Sequence, residues 1–152
     1  MKKFLNLSIM ILVLALIFSI PALAEGHHGH YGVENIAMVY QAGWGNTALV
    51  DQEAEMYYYR RHHGHGGENV AFVYQEGWGN SNNVYQKGAD NYSFVISEGF
   101  ANTVTQNIDG KELTALAYQD GKFNTAVQTL SGKENIAVVN QHGFGNSATQ
   151  LA

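Results

Sequence analysis

The chain has 152 residues, with 13 acidic against 8 basic side chains and a formal charge of −5. That balance excludes a nucleic-acid partner held by phosphate neutralisation, because no basic patch exists to supply the contacts. The absence of cysteine excludes a disulfide scaffold, and the only proline is Pro21, so every later residue can donate its amide to a strand ladder.

Taken in chain order, residues 1–24 come first. Lys2 and Lys3, the apolar run Phe4–Ile20 and Ala22-Leu23-Ala24 have the charged, hydrophobic and small-residue order of a cleaved secretory signal. A membrane anchor needs about 20 apolar residues, which this run barely reaches before Pro21. The predicted mature chain is therefore 25–152, with no membrane insertion after cleavage and six basic against thirteen acidic residues. Residues 25–34 form a His/Gly-rich segment carrying His27, His28 and His30, and a second cluster follows at His62, His63 and His65. Imidazoles at this density can bind Zn²⁺, Cu²⁺ or Ni²⁺, or charge together near pH ~6. Flanking glycines deny them a fixed coordination shell, so solvated linker is the preferred reading and no cofactor is expected.

From residue 35 onward one unit recurs. Gln41-Ala-Gly43-Trp-Gly-Asn46, Gln75-Glu-Gly77-Trp-Gly-Asn80, Ser97-Glu-Gly99-Phe-Ala-Asn102, Gln119-Asp-Gly121-Lys-Phe-Asn124 and Gln141-His-Gly143-Phe-Gly-Asn146 are five copies. The central asparagines are spaced 34, 22, 22 and 22 residues apart. A fixed period of this size marks stacked repeats, and a unit too small to bury its own core must lie on a neighbour. The predicted rungs are about 35–52, 69–86, 91–108, 113–130 and 135–152, with an insertion at 53–68 after the first. That insertion contains Met56-Tyr-Tyr-Tyr59 and reads as a tolerated surface loop, or alternatively as an aromatic adhesive patch.

Within each unit two short segments flank the glycine turn. Strand side chains alternate faces, so Asn35, Ala37, Val39 and Gln41 share one face, as do Asn46, Ala48, Val50 and Gln52. Asn69, Gln75, Asn80 and Gln86 hold the equivalent places in the second unit, and Asn135, Gln141 and Asn146 in the fifth. In units three to five the last glutamine comes two residues early, at Gln106, Gln128 and Gln150, which keeps the face. Asn102, Gln119 and Asn124 complete the set. An unpaired buried amide costs about 1–3 kcal/mol. Stacking like units about 4.8 Å apart removes that cost if each side-chain amide donates to one copy and accepts from the next. The expected fold is all-β: a β-solenoid, or cross-β stack, of five strand–turn–strand rungs. Gly43, Gly77, Gly99, Gly121 and Gly143 supply the positive φ that the turns need.

The outward side of the first strands is apolar, reading Ile36/Met38/Tyr40, Val70/Phe72/Tyr74, Tyr92/Phe94/Ile96, Thr114/Leu116/Tyr118 and Ile136/Val138/Asn140. Such a stripe marks an interaction surface, or else packs on the 53–64 insertion. Acidic residues at Glu76, Asp90, Glu98, Asp109, Asp120 and Glu134 fall in turns and read as gatekeepers against misassembly. No catalytic set emerges. The Gly-x-Gly turns have no following helix or lysine to cradle phosphate, so no enzyme activity is expected.

The pattern Asn-x-Ala-x-Val-x-Gln-x-Gly-x-Gly-Asn-x-Ala resembles the curlin repeat of curli, a secreted bacterial functional amyloid, over 35–152. The resemblance implies a subunit exported through an outer-membrane pore of the Gram-negative type, joining a nucleating subunit and polymerising with itself at the cell surface. The resulting fibres would serve adhesion and biofilm matrix. It also implies assembly through the terminal repeats, 35–52 and 135–152, which both keep the full consensus, as in the major rather than the nucleating subunit. The chain departs from the family in lacking a long Gly/Asn-rich secretion segment and in its insertion. A soluble monomeric β-solenoid, binding a surface or a metal, is the alternative expectation.

Overall fold

The computed structural model describes residues 34–57 and 65–152. The leader, most of the His/Gly segment and the centre of the insertion lie outside the described residues. Strands β1 (Glu34–Trp44) and β2 (Thr47–Ala54) make the first rung, and β3 (Met56–Tyr57) and β4 (His65–Gly66) belong to the insertion. The remaining rungs are β5 (Glu68–Trp78) with β6 (Ser81–Ala89), β7 (Asn91–Phe100) with β8 (Thr103–Lys111), β9 (Thr114–Lys122) with β10 (Thr125–Lys133), and β11 (Ile136–Phe144) with β12 (Ser147–Leu151). First strands stack in the order β1-β5-β7-β9-β11 and second strands as β2-β6-β8-β10-β12, every pair parallel. The architecture is a β-solenoid of two facing parallel sheets with a 22-residue period. Hydrophobic alternation of period two, with an inner face of small apolar and amide residues interrupted only by Ser93 and Ser97, favours strands over helix.

The solenoid coil is wider than the sequence units suggested. β2 continues to Ala54, in register with Gly88, and β5 begins at Glu68, so the insertion shrinks to residues 55–67. Its ends close as a short antiparallel pair, Met56 opposite Gly66 and Tyr57 opposite His65.

The core is a single column-by-column stack. Ala71, Val73, Val84, Val95, Val104, Ala117, Ala126 and Val139 are buried between the sheets, with Ala48, Val50 and Ala148 packed against them. A smaller cluster of Ile108, Leu113, Ala115, Leu130 and Ala137 fills the opposite edge of the upper rungs. It exists because the two-residue glutamine shift splits one column into two. Gln106, Gln128 and Gln150 align with Val50 and Val84, while Gln52 and Gln86 align with Ile108 and Leu130. The face is conserved, as expected, but amide and aliphatic trade places between the second and third rungs.

Half the repeat is itself a repeat. From the second rung on, glycines recur every eleven residues at 77, 88, 99, 110, 121, 132 and 143, alternating between the two ends of the rungs. Two residues later stands a position with φ between 52° and 68°, held by Gly79, Asp90, Ala101, Glu112, Phe123, Glu134 and Gly145. Both corners thus use one device. Backbone bonds continue around them, as in Ala101 N to Trp78 O at 2.8 Å and Glu112 N to Ala89 O at 3.0 Å.

The corner glycines are required twice over. A Cβ on Gly121, whose φ is 133°, would lie 1.9 Å from the carbonyl oxygen of Gly143 on the next rung. Substituting Gly121→Ala should cost about 3 kcal/mol or more, from left-handed strain plus a backbone clash. Ala101 sits at φ 52° where the equivalent residue one rung earlier is Gly79. Left-handed alanine costs about 1–2 kcal/mol, and the extra chain entropy of glycine returns about 0.5–1. Ala101→Gly is expected to raise stability by about 0.5–1 kcal/mol; chemical denaturation of both variants checks the pair of signs.

Candidate assembly surfaces

The asparagines at the first corner bond chiefly from side chain to backbone; among them only Asn146 Nδ2 reaches another asparagine side chain, Asn124 Oδ1. Asn46, Asn80, Asn102 and Asn124 each accept a hydrogen bond on Oδ1 from the backbone N–H of the next asparagine up, at 3.0–3.1 Å. Their Nδ2 groups donate upward to the carbonyls of Gly77, Gly99, Gly121 and Gly143 at 3.1–3.4 Å. Each asparagine is thus a clamp from side chain to backbone across the rung gap. The reason is geometric: the turn leaves a backbone N–H and C=O pointing along the stacking axis, and these bind an amide better than a sideways neighbour does.

The opposite corner repeats the clamp with Asn69 and Asn91. Asn91 N–H donates to Asn69 Oδ1 at 3.2 Å, and Leu113 N–H donates to Asn91 Oδ1 at 3.0 Å. Asn69 Nδ2 and Asn91 Nδ2 reach the carbonyls of Gly88 and Gly110. The column ends at Leu113, whose side chain joins the second core cluster instead. Asn91 was not among the residues that the sequence singled out, although it stands 22 residues after Asn69 and 11 after Asn80. Gly88, Gly110 and Gly132 at the second corner follow the same eleven-residue step, which the 22-residue period alone does not reveal.

Five glutamine pairs bond side chain to side chain along the stacking axis. Gln41 Nε2 donates to Gln75 Oε1 at 2.6 Å, Gln52 to Gln86 at 2.7 Å, Gln106 to Gln128 at 2.8 Å, Gln128 to Gln150 at 2.9 Å and Gln119 to Gln141 at 2.8 Å. The first-strand ladder is broken once, at Ser97. There Asn82 occupies a core column otherwise filled by Ala48, Val104, Ala126 and Ala148, and Ser97 Oγ donates to Asn82 Oδ1 at 2.9 Å. Ser93 likewise bonds Gln106 across the core.

The end rungs are uncovered versions of the middle ones. Gln75 and Gln119 are 0% exposed, whereas Gln41 is open to solvent and Val39 reaches 49%. At the other end Asn146 is exposed, and its Nδ2 folds back onto Asn124 Oδ1 and His142 O. Gly143 and Gly132 have no backbone above them within 3.4 Å. Asn35 Nδ2 donates to Gln52 O at 2.9 Å, and Asn135 Nδ2 donates to Ser131 O at 2.7 Å.

The apolar stripe on the first sheet is less open than the alternation suggested. Val70, Phe94 and Ile96 are buried, and Phe72 stacks flat on Phe94 at 5.1 Å. Exposure is concentrated at the two ends, in Tyr40, Ile136 and Val138. Tyr40 stacks on Tyr74, whose hydroxyl donates to Glu76 at 2.9 Å. Burial first, then Glu76, raises the Tyr74 hydroxyl well above the ordinary tyrosine range. At the second corner Glu53 and then Glu55 hold Lys87 above its usual value, through contacts of 3.6 and 3.8 Å.

His65 lies on β4, and His27, His28, His30, His62 and His63 fall outside the described residues. Among the described residues no group of three or more His, Asp or Glu could hold a metal ion, and no helix is long and apolar enough to cross a membrane. Compared with known proteins, the chain matches no family model, and no curated protein is significantly similar to it.

The ladder break leaves Gln119 Oε1 and Asn82 Nδ2 buried without partners. Ser97 has no amide to donate upward to Gln119, and Asn82 uses only its oxygen. Restoring the consensus at both places, Ser97→Gln with Asn82→Ala, is expected to stabilise the fold by about 1–3 kcal/mol. Ser97→Gln alone should destabilise it, because Asn82 already fills the space. A double-mutant cycle by urea unfolding reads both signs.

Proposed function

We propose that this chain is the self-polymerising subunit of an extracellular curli-like fibre, serving adhesion and biofilm matrix. The observation that carries the reading is complementarity between its two outer rungs. Every internal junction joins an asparagine side chain below to an asparagine N–H and a glycine carbonyl above, and all but the one between the second and third rungs add a glutamine Nε2 donating to a glutamine Oε1. The fifth rung presents the lower half, in Asn146, Gly143 and Gln141. The first presents the upper half, in Asn46, Gly43 and Gln41. Stacked in the internal register, Asn135, Ala137, Val139, Gln141, Gly143, Gly145, Asn146 and Ala148 would meet identical residues at 35, 37, 39, 41, 43, 45, 46 and 48.

Such a contact is head-to-tail, and head-to-tail contacts that do not close produce open filaments. Outer strands of this length, regular and free of proline, are natural templates for a further strand. The leader-like residues 1–24 support export, and the repeat's resemblance to curlin supports a nucleating subunit and an outer-membrane pore as partners.

The reading is tested by following thioflavin T fluorescence of the purified protein after dilution from denaturant. A lag phase abolished by preformed seeds, and fibre reflections near ~4.7 and ~10 Å, are expected. A dye-negative monomer that persists for days would sink the proposal and favour the soluble binder. The junction itself is probed by Gly143→Ala. Its Cβ meets nothing nearer than Asn146 Nδ2 at 3.8 Å within one chain, but in the polymer it would strike the next subunit's Gly43 carbonyl. Gly132→Ala carries comparable strain, at φ 92° against 104°, one rung away from the junction. Seeded elongation should fall at least tenfold for Gly143→Ala and little for Gly132→Ala; equal rates would contradict this junction.

A further inference from the structure

One turn edge of the solenoid carries an exposed row of aromatic side chains, one per rung. Trp44, Trp78, Phe100 and Phe144 share one column, in register through β1, β5, β7, β9 and β11. Their exposures are 78%, 61%, 41% and 73%. The fourth rung has Lys122 at this position, yet the row is not broken. Phe123, the next residue, lies 5.2 Å from Phe100 and 5.5 Å from Phe144, edge-on to both.

That substitution is costly. Phe123 is held at φ 57°, where Gly45, Gly79 and Gly145 stand in other copies, and a bulky side chain there costs about 1–2 kcal/mol. Asp90, Ala101, Glu112 and Glu134 share that conformation, but Phe123 is the one aromatic residue among them. The strain it bears keeps the aromatic row continuous, which points to use of the row. Beside it runs a second column. Glu76, Glu98 and Asp120 lie two residues back on the same strands and are in register with one another. Stacked like charges repel, so this column too carries a cost within the fold. Lys122 in the aromatic column and His142, whose Nδ1 is 3.6 Å from Asp120 Oδ2, stand against the three carboxylates.

Aromatic faces bordered by carboxylates attract cations through ring quadrupole and charge together. They repel a second copy of the same acidic edge and any anionic surface. The period then selects the kind of cation. Rungs advance about 4.8 Å, whereas same-face residues of an extended peptide advance about 6.5 Å, so a lysine-bearing strand falls out of step within two rungs. A β-linked pyranose chain advances by close to one sugar per rung, and the axial C–H face of each sugar packs on an aromatic ring. We propose that this edge is a binding track for a cationic, β-linked amino-polysaccharide, with ring faces on Trp44, Trp78, Phe100, Phe123 and Phe144 and, because the ammonium groups of such a chain alternate sides, every second one on Glu76 and Asp120.

Both tryptophans of the chain stand in the row, so their emission reports on the site directly. The probe is a β-1,4-linked glucosamine hexamer at mildly acidic pH, where its amines are protonated, titrated into the folded protein. Saturable change in tryptophan emission is expected, with affinity at least tenfold above that for the fully N-acetylated hexamer or for a lysine hexamer. Phe123→Gly removes the strained residue, so it folds at least as well as the parent, yet it should weaken binding about tenfold. Asp120→Asn should weaken it severalfold, and Leu49→Ser, on the opposite sheet, should not. Absence of binding, equal binding of either comparison hexamer, or full affinity in Phe123→Gly overturns the proposal. The titration reads the folded chain whether or not it polymerises, so this inference and the fibre reading fail separately.

Discussion

Everything in this fold depends on how closely two backbones can approach at a corner. A β-carbon at the Gly77, Gly88, Gly99, Gly110 or Gly121 corner would lie about 2 Å from the carbonyl of the glycine above. No side chain fits, so the rungs settle at strand spacing at the turns as well as along the strands. The inter-rung ladder therefore runs unbroken around each corner. With that spacing imposed, like residues come to lie on like residues. A column of asparagines then becomes a column of clamps, and a column of glutamines becomes a hydrogen-bonded ladder. The apolar core follows from the same constraint. It is thin, built largely from alanine and valine with Ile108, Leu113 and Leu130 at one edge, because two sheets joined by such tight corners leave little room between them.

In-register stacking is indiscriminate, and the chain shows how its disadvantages are handled. Like charges also stack, as at Lys111 and Lys133. Each of these lysines reaches sideways to the next residue, Glu112 at 3.1 Å and Glu134 at 2.7 Å, and the hydrogen bond from Lys133 holds Glu134 below the usual carboxylate range. Elsewhere the column alternates, with Lys87 between Glu53 and Asp109. These pairs are exposed and individually weak. Their contribution is to register: sliding the stack by one rung would set Lys87 against different neighbours.

The architecture was legible in the sequence because period and alternation are properties of residue order alone. Asn46 to Asn146 mark the rungs, and Ala37, Val39 and Gln41 mark the inner face. What the asparagines do was not legible. Sequence shows amides recurring, and recurrence suggests like-to-like pairing; only the backbone at the turn reveals N–H and C=O groups along the axis that capture the side chain instead. The eleven-residue half-repeat was hidden by composition. Ala54 stands where Gly88 and Gly110 would predict glycine, Leu113 where Asn91 and Asn135 predict asparagine, and Asp90, Glu112 and Glu134 hold a conformation that glycine holds at the other corner. Partial burial of the outer stripe was not legible either, because stacked rings such as Phe72 and Phe94 shield one another only once their register is known.

The irregular residues are not scattered. Asn82, Ser93 and Ser97 break the core and ladder columns between the second and third rungs, and Leu113 and Phe123 break the corner columns in the fourth. A perfectly uniform stack could shift by a whole rung at little cost, since every column would find an equivalent partner. Buried Ser97–Asn82 and Ser93–Gln106 contacts have no equivalent one rung away, so they penalise that shift by leaving polar groups unpaired. The first and fifth rungs, by contrast, carry the same inward residues along their first strands, although Gln150 lies in the column of Val50 on the second. Uniqueness is thereby concentrated in the interior. A chain arranged this way folds in one register by itself, while its outer first strands repeat the inward pattern through which its own rungs stack.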